Sequence, residues 1–140
     1  QGIMNYLKHE NIEFLGKNAV VIGRSNIVGK PMALLMLRKE FNSTVTICHT
    51  KTVNLKKECQ KADIIVACAG VAKMLDKSYV SEGAIVLDVG INVVDGKLCG
   101  DVDYESVSEV ASMATPVPGG GGTVTTSVLL KHTVWSAERC

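Results

Sequence analysis

AVVIGRSNIVGKP, residues 19–31, is the stretch that decides how this chain folds. It opens with four apolar residues, passes through a turn bounded by Gly23 and Gly29, and continues into MALLMLRKE, a strong helix-forming segment. A strand that leads through glycines into a helix is the phosphate-binding unit of dinucleotide folds, because glycine permits the tight turn and the helix N-terminus attracts a pyrophosphate. Ser25 replaces the middle glycine of G-x-G-x-x-G and Gly29 comes one residue late. The position of this turn between a strand and a helix, more than its match to the G-x-G-x-x-G pattern, therefore predicts a nucleotide site.

Three further apolar runs follow at regular spacing: residues 44–48, 63–67 and 84–88. We interpret each as apolar throughout, which is typical of strands buried on both faces, and the segments between them are long enough for crossover helices. The predicted fold class is α/β, a doubly wound parallel sheet in one Rossmann-like domain over residues 1–140. Helices are predicted at 3–9, 32–40, 53–61, 104–110 and 122–138. Pro31 is placed in a first helical turn, and Thr52 and Asp103 are predicted N-caps.

Composition excludes several classes of protein. With 46% apolar and 21% charged residues the chain can build one sizeable core, so it is not a disordered protein. A net charge of +1 predicts no nucleic-acid partner, and no apolar run approaches the ~20 residues that span a membrane. The charge is unevenly divided, because residues 1–75 carry +6 and residues 76–140 carry −5. Either an anion binds the first half or the scatter is accidental.

The five cysteines predict reduced thiols and no metal site. Their positions fit neither a C-x-x-C metal pattern nor an even-numbered disulfide framework: 48, 59, 68, 99 and 140. We therefore expect a cytoplasmic protein.

The end of the second strand indicates which cofactor is bound. Folds that prefer NAD place an acid there to bond the ribose 2′-hydroxyl, whereas this strand ends in His49, Thr50 and Lys51. Arg24 and the Thr50 hydroxyl would favour a 2′-phosphate instead, so we predict NADP. Lys51 is either a second contact or a solvated loop residue. His49 is either an acid–base group or a residue that orders the loop, and we favour the latter.

Glycines also mark the ends of the third and fourth strands. Gly70 follows the third, and Gly90 and Ile91 follow the fourth, where a flat ring can approach the backbone. We predict that the nicotinamide lies near Gly90 and Ile91. The Pro- and Gly-rich stretch 115–123 is either a mobile loop or a second ligand loop.

Several long strings, in this order along the chain, resemble one family. They are similar to the cofactor-binding domain of bifunctional methylenetetrahydrofolate dehydrogenase/methenyltetrahydrofolate cyclohydrolase: GKNAVVIGRSNIVGKPMALL, TVTICHTKT, ADIIVACAG, GAIVLDVGIN, GKLCGDVD and ATPVPGG. The resemblance implies that Arg24, Ser25 and Thr50 hold the NADP ribose phosphate, with Gly23 in the same turn. It implies that Ile91, beside Gly90, borders the nicotinamide. The family's folate-side loop is altered here at Gly121, Thr123 and Val124.

The resemblance also predicts what this chain lacks. The family's catalytic lysine lies in a Y-x-x-x-K motif of an N-terminal folate-binding domain, and no tyrosine here has a lysine four residues on. We expect the chain to begin just after that domain, to hold no catalytic residue, and to share its folate substrate with it. The intact enzyme would transfer hydride from methylenetetrahydrofolate to NADP, hydrolyse the product and form a homodimer.

Two other classes are compatible with parts of the pattern. A non-catalytic NADP-binding Rossmann module would carry the same cofactor residues without an upstream folate domain. An S-adenosylmethionine-dependent methyltransferase would need an acid at the end of the second strand, where His49, Thr50 and Lys51 stand. A Y-x-x-x-K motif before Gln1 would identify the folate enzyme.

Overall fold

A computed structural model describes Met4 and residues 8–120 of the chain. These residues contain strands β1 (Asn18–Ile22), β2 (Thr44–Cys48), β3 (Ile64–Ala67), β4 (Ile85–Asp88), β5 (Asn92–Val94), β6 (Lys97–Cys99) and β7 (Met113–Ala114). Five of them form one parallel sheet in the order β2-β1-β3-β4-β7. The other two, β5 and β6, form an antiparallel hairpin.

The described helices are short. They are α1 (Gly29–Leu37), α2 (Leu55–Gln60) and α3 (Tyr104–Ser108), with one turn of 3₁₀ helix at Lys77–Tyr79. No helix within the described part of the chain is long and apolar enough to cross a bilayer.

Side chains on the two faces of the sheet form two separate hydrophobic clusters. One contains Val20, Ile22, Ile65 and Val86 and extends to α3, while the other contains Val21, Ile64, Val66, Leu87 and the α1 residues Met32, Ala33 and Met36. In β1, β3 and β4, consecutive side chains point to opposite faces of the sheet and are buried on both faces. Each of these strands therefore contributes to both clusters. The predicted doubly wound parallel sheet is therefore confirmed.

The prediction for the second strand was wrong in one respect. β2 has the predicted bounds but is not buried on both faces, because it lies at the edge of the sheet and only Cys48 is buried. Thr44 and Thr46 are exposed to solvent. Ile47 is exposed as well and Val45 is half-buried, as expected of a strand with a neighbour on one side only.

The helices agree with the sequence in position more than in extent. α1 begins three residues before the predicted residue 32 and keeps Pro31 in its first turn. Thr52 does not cap α2, because the N-cap position is Asn54 and the Thr52 hydroxyl accepts a bond from the His49 amide. Asp103 occupies the N-cap position of α3 without a side-chain cap bond.

Some elements were not predicted and some predictions remain outside the described residues. The hairpin β5–β6, the 3₁₀ turn and β7 were not anticipated. The predicted helix at 122–138 and the altered loop positions 121, 123 and 124 lie outside the described residues. Of the predicted helix at 3–9, only Met4, Lys8 and His9 are described, and these are helical.

Candidate functional site

The turn after β1 is held tightly by the strands on either side of it. The Gly23 amide donates to the Cys48 carbonyl (2.8 Å), and the Cys68 amide donates to the Ile22 carbonyl (2.9 Å). Gly23 has φ +136°, and a Cβ there would overlap with the Cys68 backbone. A Cβ on Gly29 would likewise overlap with the Gly23 carbonyl. Both glycines are therefore required sterically, since α1 starts against the end of β1.

Ser25 closes the turn with its side chain. Its Oγ accepts hydrogen bonds from the amides of Val28 (3.0 Å) and Gly29 (3.3 Å), and its carbonyl accepts one from Lys30 (3.0 Å). The Lys30 ammonium in turn donates to Asn26 Oδ1 (2.8 Å). Because the Ser25 oxygen already accepts two bonds, its hydroxyl proton remains the group that can contact a ligand.

The rest of the turn offers unused donors. Within the described part of the chain, the backbone N–H groups of residues 24–27 have no hydrogen-bond acceptor. They precede the N-terminus of α1, where the helix dipole favours an anion. Arg24 is exposed beside them and pairs with no carboxylate of the described residues. This donor-rich glycine turn fits a phosphorylated cofactor.

The loop after β2 is ordered by His49. The His49 amide donates to Thr52 Oγ1 (2.8 Å), and His49 Nδ1 accepts from the Lys51 amide (3.2 Å). These bonds support the loop-ordering role predicted for His49. They leave the side chains of Thr50 and Lys51 exposed at the loop surface, and no acid stands at the strand end.

The carboxyl ends of four strands present the predicted site residues along one edge of the sheet. In spatial order these ends carry Thr50 after β2, the Gly23–Ser25 turn after β1, Gly70 after β3, and Gly90 with Ile91 after β4. With a strand spacing of ~4.8 Å the row spans about 14 Å. The strand order reverses between β1 and β3, because β2 lies on one side of β1 and β3 on the other, and in open α/β sheets ligands bind at that point of the carboxyl edge.

Two buried aspartates organise the Gly90 end of this row. Asp88 Oδ1 accepts from the amides of Gly90 (2.9 Å) and Asp101 (3.0 Å), and its Oδ2 accepts from Val102 (2.9 Å). Asp101 is fully buried. Burial raises the pKa of the Asp88 carboxyl above its ordinary value, and the nearby Asp101 adds to this, while the three N–H donors offset it only in part. Ile91, one residue beyond Gly90, is 70% exposed.

Sequence reasoning missed Asp101 and the role of Asp88. Each aspartate has a glycine that makes room for it, because a Cβ on Gly90 would overlap with the Asp101 carboxylate and one on Gly100 with that of Asp88. The Gly-Asp pair at residues 100–101 was the available signal. Such a pair indicates a turn as readily as a buried acid, so it was not decisive.

The model of one protein family matches the whole chain. Residues 1–140 match the family described as tetrahydrofolate dehydrogenase/cyclohydrolase, NAD(P)-binding domain. Among curated relatives, the bifunctional protein FolD of Halalkalibacterium halodurans is 54% identical over 137 residues, which are 98% of this chain and 48% of that protein. The chain thus spans about half the length of the curated relatives it matches.

Solved structures of related enzymes have the same fold. The bifunctional FolD dehydrogenase/cyclohydrolase of Campylobacter jejuni is 48% identical with a TM-score of 0.93, covering 99% of this chain and 49% of that one. The Trypanosoma brucei enzyme, solved with NADP cofactor and inhibitor, is 35% identical with a TM-score of 0.90. The match covers 99% of this chain and 49% of the Trypanosoma chain.

Proposed function

The chain belongs to the tetrahydrofolate dehydrogenase/cyclohydrolase family as its NAD(P)-binding domain, and from this we propose that it holds NADP for an enzyme that oxidises 5,10-methylenetetrahydrofolate to the 5,10-methenyl form. The same enzyme would hydrolyse that product to 10-formyltetrahydrofolate. The observation that carries the proposal is the donor-rich turn at Gly23–Gly29, aligned with Thr50 and with Gly90 on one edge of the sheet.

The choice of NADP over NAD depends on charge at the end of β2. A carboxylate there would repel a 2′-phosphate, and this chain has His49, Thr50 and Lys51 instead. Arg24, exposed in the neighbouring turn, supplies a cation with several donors for phosphate oxygens. We assign Arg24, Ser25 and Thr50 to the 2′-phosphate.

Each group of site residues along the carboxyl edge of the sheet has a separate role in this function. The amides of residues 24–27 bind phosphate oxygens, and the Ser25 hydroxyl donates a further bond. Exposed Ile91 is assigned to one side of the nicotinamide ring, which it shields from water, while the space beside buried Gly90 holds the Asp101 carboxylate. Bound NADP supplies the hydride acceptor. The folate and the lysine that serves as acid–base group are assigned to a preceding domain of the full-length enzyme.

Substitution of Arg24 tests the cofactor assignment. A charge-assisted hydrogen bond contributes ~1.5–3 kcal/mol, so Arg24→Ala should weaken NADP binding roughly tenfold to a hundredfold while NAD binding barely changes. Isothermal titration calorimetry of the chain with both cofactors measures the difference.

Arg38→Ala is the matched control for this experiment. It removes the same charge from an exposed position just beyond the opposite end of α1, about 13 Å from the turn, and should leave both affinities unchanged. Lys51→Ala in the same titration distinguishes a phosphate contact from a solvated side chain. Equal losses of NADP and NAD in Arg24→Ala would contradict the assignment.

We propose that the full-length protein is a homodimer that pairs through this domain. The hairpin β5–β6 supports this, because Val93 (69% exposed) and Leu98 (45%) are cross-strand partners and form an exposed apolar pair on one face of it. Clustered exposed apolar residues mark association surfaces. Sedimentation of the intact protein at micromolar concentration should show a dimer, and Val93→Lys should shift it towards monomer. A monomer at that concentration would refute the proposal.

We also propose a cytoplasmic, reducing location, supported by four free cysteines among the described residues. Burial raises the pKa of Cys59 to about 12 and that of Cys68 to about 11, and it also raises the pKa of Cys48. At pH 8 these thiols stay protonated and should react with iodoacetamide far more slowly in the folded protein than in guanidinium. Mass spectrometry of the alkylated peptides measures both rates. Equal rates in the two states would contradict the burial.

A further inference from the structure

The two buried aspartates and two glycines near the end of β4 form an interlocked unit, which we call the aspartate clasp: Asp88, Gly90, Gly100 and Asp101. The Asp88 carboxylate accepts hydrogen bonds from the Gly90 amide, two residues further along the chain, and from the amides of Asp101 and Val102, which follow the hairpin. Each carboxylate occupies space that only a glycine leaves open. The clasp therefore fixes the position of residues 88–90 relative to residues 100–102.

Asp101 extends the clasp to two further loops. Its Oδ2 accepts from the amides of Ala69 (2.7 Å) and Gly70 (2.9 Å), which follow β3. Its Oδ1 accepts from Asn92 Nδ2 (2.9 Å), at the start of the hairpin. One side chain thus connects the ends of β3 and β4, and both loops lie on the carboxyl edge of the sheet.

The backbone of Asp101 is fixed independently of these side-chain bonds. Its carbonyl accepts from the Leu75 amide (3.1 Å), the Gly100 carbonyl accepts from Lys73 (3.1 Å), and Leu75 forms a parallel bridge with Val102. The carboxylate is thus an anchored acceptor. A fully buried carboxylate is costly unless it is fully hydrogen-bonded, and an apolar side chain would fill the same space at lower cost. The Asp101 carboxylate connects the loops beside Gly90 and Ile91, and this connection explains why a buried acid stands here instead of an apolar residue.

We propose that Asp101 is a positioning residue for the nicotinamide half of the cofactor. It sets the distance between the Ala69–Gly70 loop and the Gly90–Asn92 loop, and among the described residues its carboxylate accepts no hydrogen bond from the turn at residues 23–29. The inference rests on the proposed NADP function. It predicts that weakening the clasp reduces binding of the nicotinamide end while binding of the adenosine 2′-phosphate end persists.

Two ligands separate the two halves of the site: NADP and adenosine 2′,5′-bisphosphate, which lacks the nicotinamide. In Asp101→Asn one amide oxygen can still accept from Ala69 and Gly70, but the amide nitrogen would face the Asn92 donor. We expect about a tenfold loss of NADP affinity and less than a twofold change for the bisphosphate. Arg24→Ala is the opposite control and should weaken both ligands.

A second variant and a reversal make the test independent of how well Asp101→Asn folds. Asn92→Ala removes the hydrogen bond between Asn92 and Asp101 by a substitution at a half-buried position. It should reduce the affinity for NADP but not the affinity for the bisphosphate. The double variant Asp101→Asn/Asn92→Asp reverses donor and acceptor and should recover most of the NADP affinity. Melting curves of all variants show whether each is folded.

The outcomes distinguish this inference from the proposed function. If the wild-type chain binds neither ligand, the proposed function fails. If it binds both and the Asp101 and Asn92 variants weaken both equally or neither, the positioning role is refuted. Failure of the double variant to recover NADP affinity would also overturn it, provided that the variant is folded. Selective loss followed by recovery supports it.

Discussion

Incubated with NADP and 5,10-methylenetetrahydrofolate, the 140-residue chain by itself is expected to form no detectable NADPH. The described residues include the four strand ends to which the cofactor is assigned, so NADP should still bind. Hydride transfer, however, requires the donor carbon to be held against the nicotinamide. This positional advantage is worth up to ~7–11 kcal/mol, and it is lost when one wall of the cleft is absent.

The measurement is NADPH absorbance, made on the chain alone and on the chain joined to the preceding half of a full-length relative. The joined protein should restore turnover, and calorimetry on the short chain should show that the cofactor was bound throughout. Turnover by the short chain alone would mean that the acid–base group lies within these residues and that its assignment to another domain is wrong.

Replacing Gly100 with alanine is expected to destabilise the domain more than any surface substitution. The new Cβ would overlap with the Asp88 carboxylate, which has no room to move because it is buried. Displacing it would leave the amides of Gly90, Asp101 and Val102 without their acceptor. Each buried, unpaired N–H costs ~1–3 kcal/mol, and three would cost ~3–9 kcal/mol of the ~5–15 kcal/mol that a domain typically has.

Gly96→Ala is the matched control, measured by urea denaturation alongside Gly100→Ala. Gly96 has φ +75°, and a Cβ there would meet no described residue within 4 Å. Its cost should be limited to the backbone strain of about 1–2 kcal/mol. Similar losses in the two variants would show that the Asp88 carboxylate adapts to the added methyl group.

The sequence was sufficient for the strands and the turn because local patterns encode them. The buried runs at β1, β3 and β4 have the predicted positions within one residue, and Gly23 and Gly29 are where the turn needs them. The burial of β2 was not predictable in the same way. It depends on which strand lies at the edge, and strand order is a property of the whole sheet.

The aspartate clasp could not be predicted for a related reason. Asp88 and Asp101 are 13 residues apart and become neighbours only when the hairpin between them folds back. Nothing in the string around Asp101 distinguishes a fully buried carboxylate from a solvated turn residue. The sequence therefore predicted a cofactor site at these glycines, and the structure was needed to find the side chains that hold those glycines in place.

The position of β1 between β2 and β3 makes the cofactor a stabiliser of the entire domain. The turn that follows β1 exists only when β2 and β3 are both paired with it, because Cys48 and Cys68 fix its two sides. These partners are distant in sequence, so no local fragment can present the turn. NADP would therefore bind the native state alone, and at a hundred times its dissociation constant it would add about 2.7 kcal/mol to the free energy of unfolding. Amide hydrogens throughout the sheet, far from the ligand, would then exchange more slowly as NADP is added.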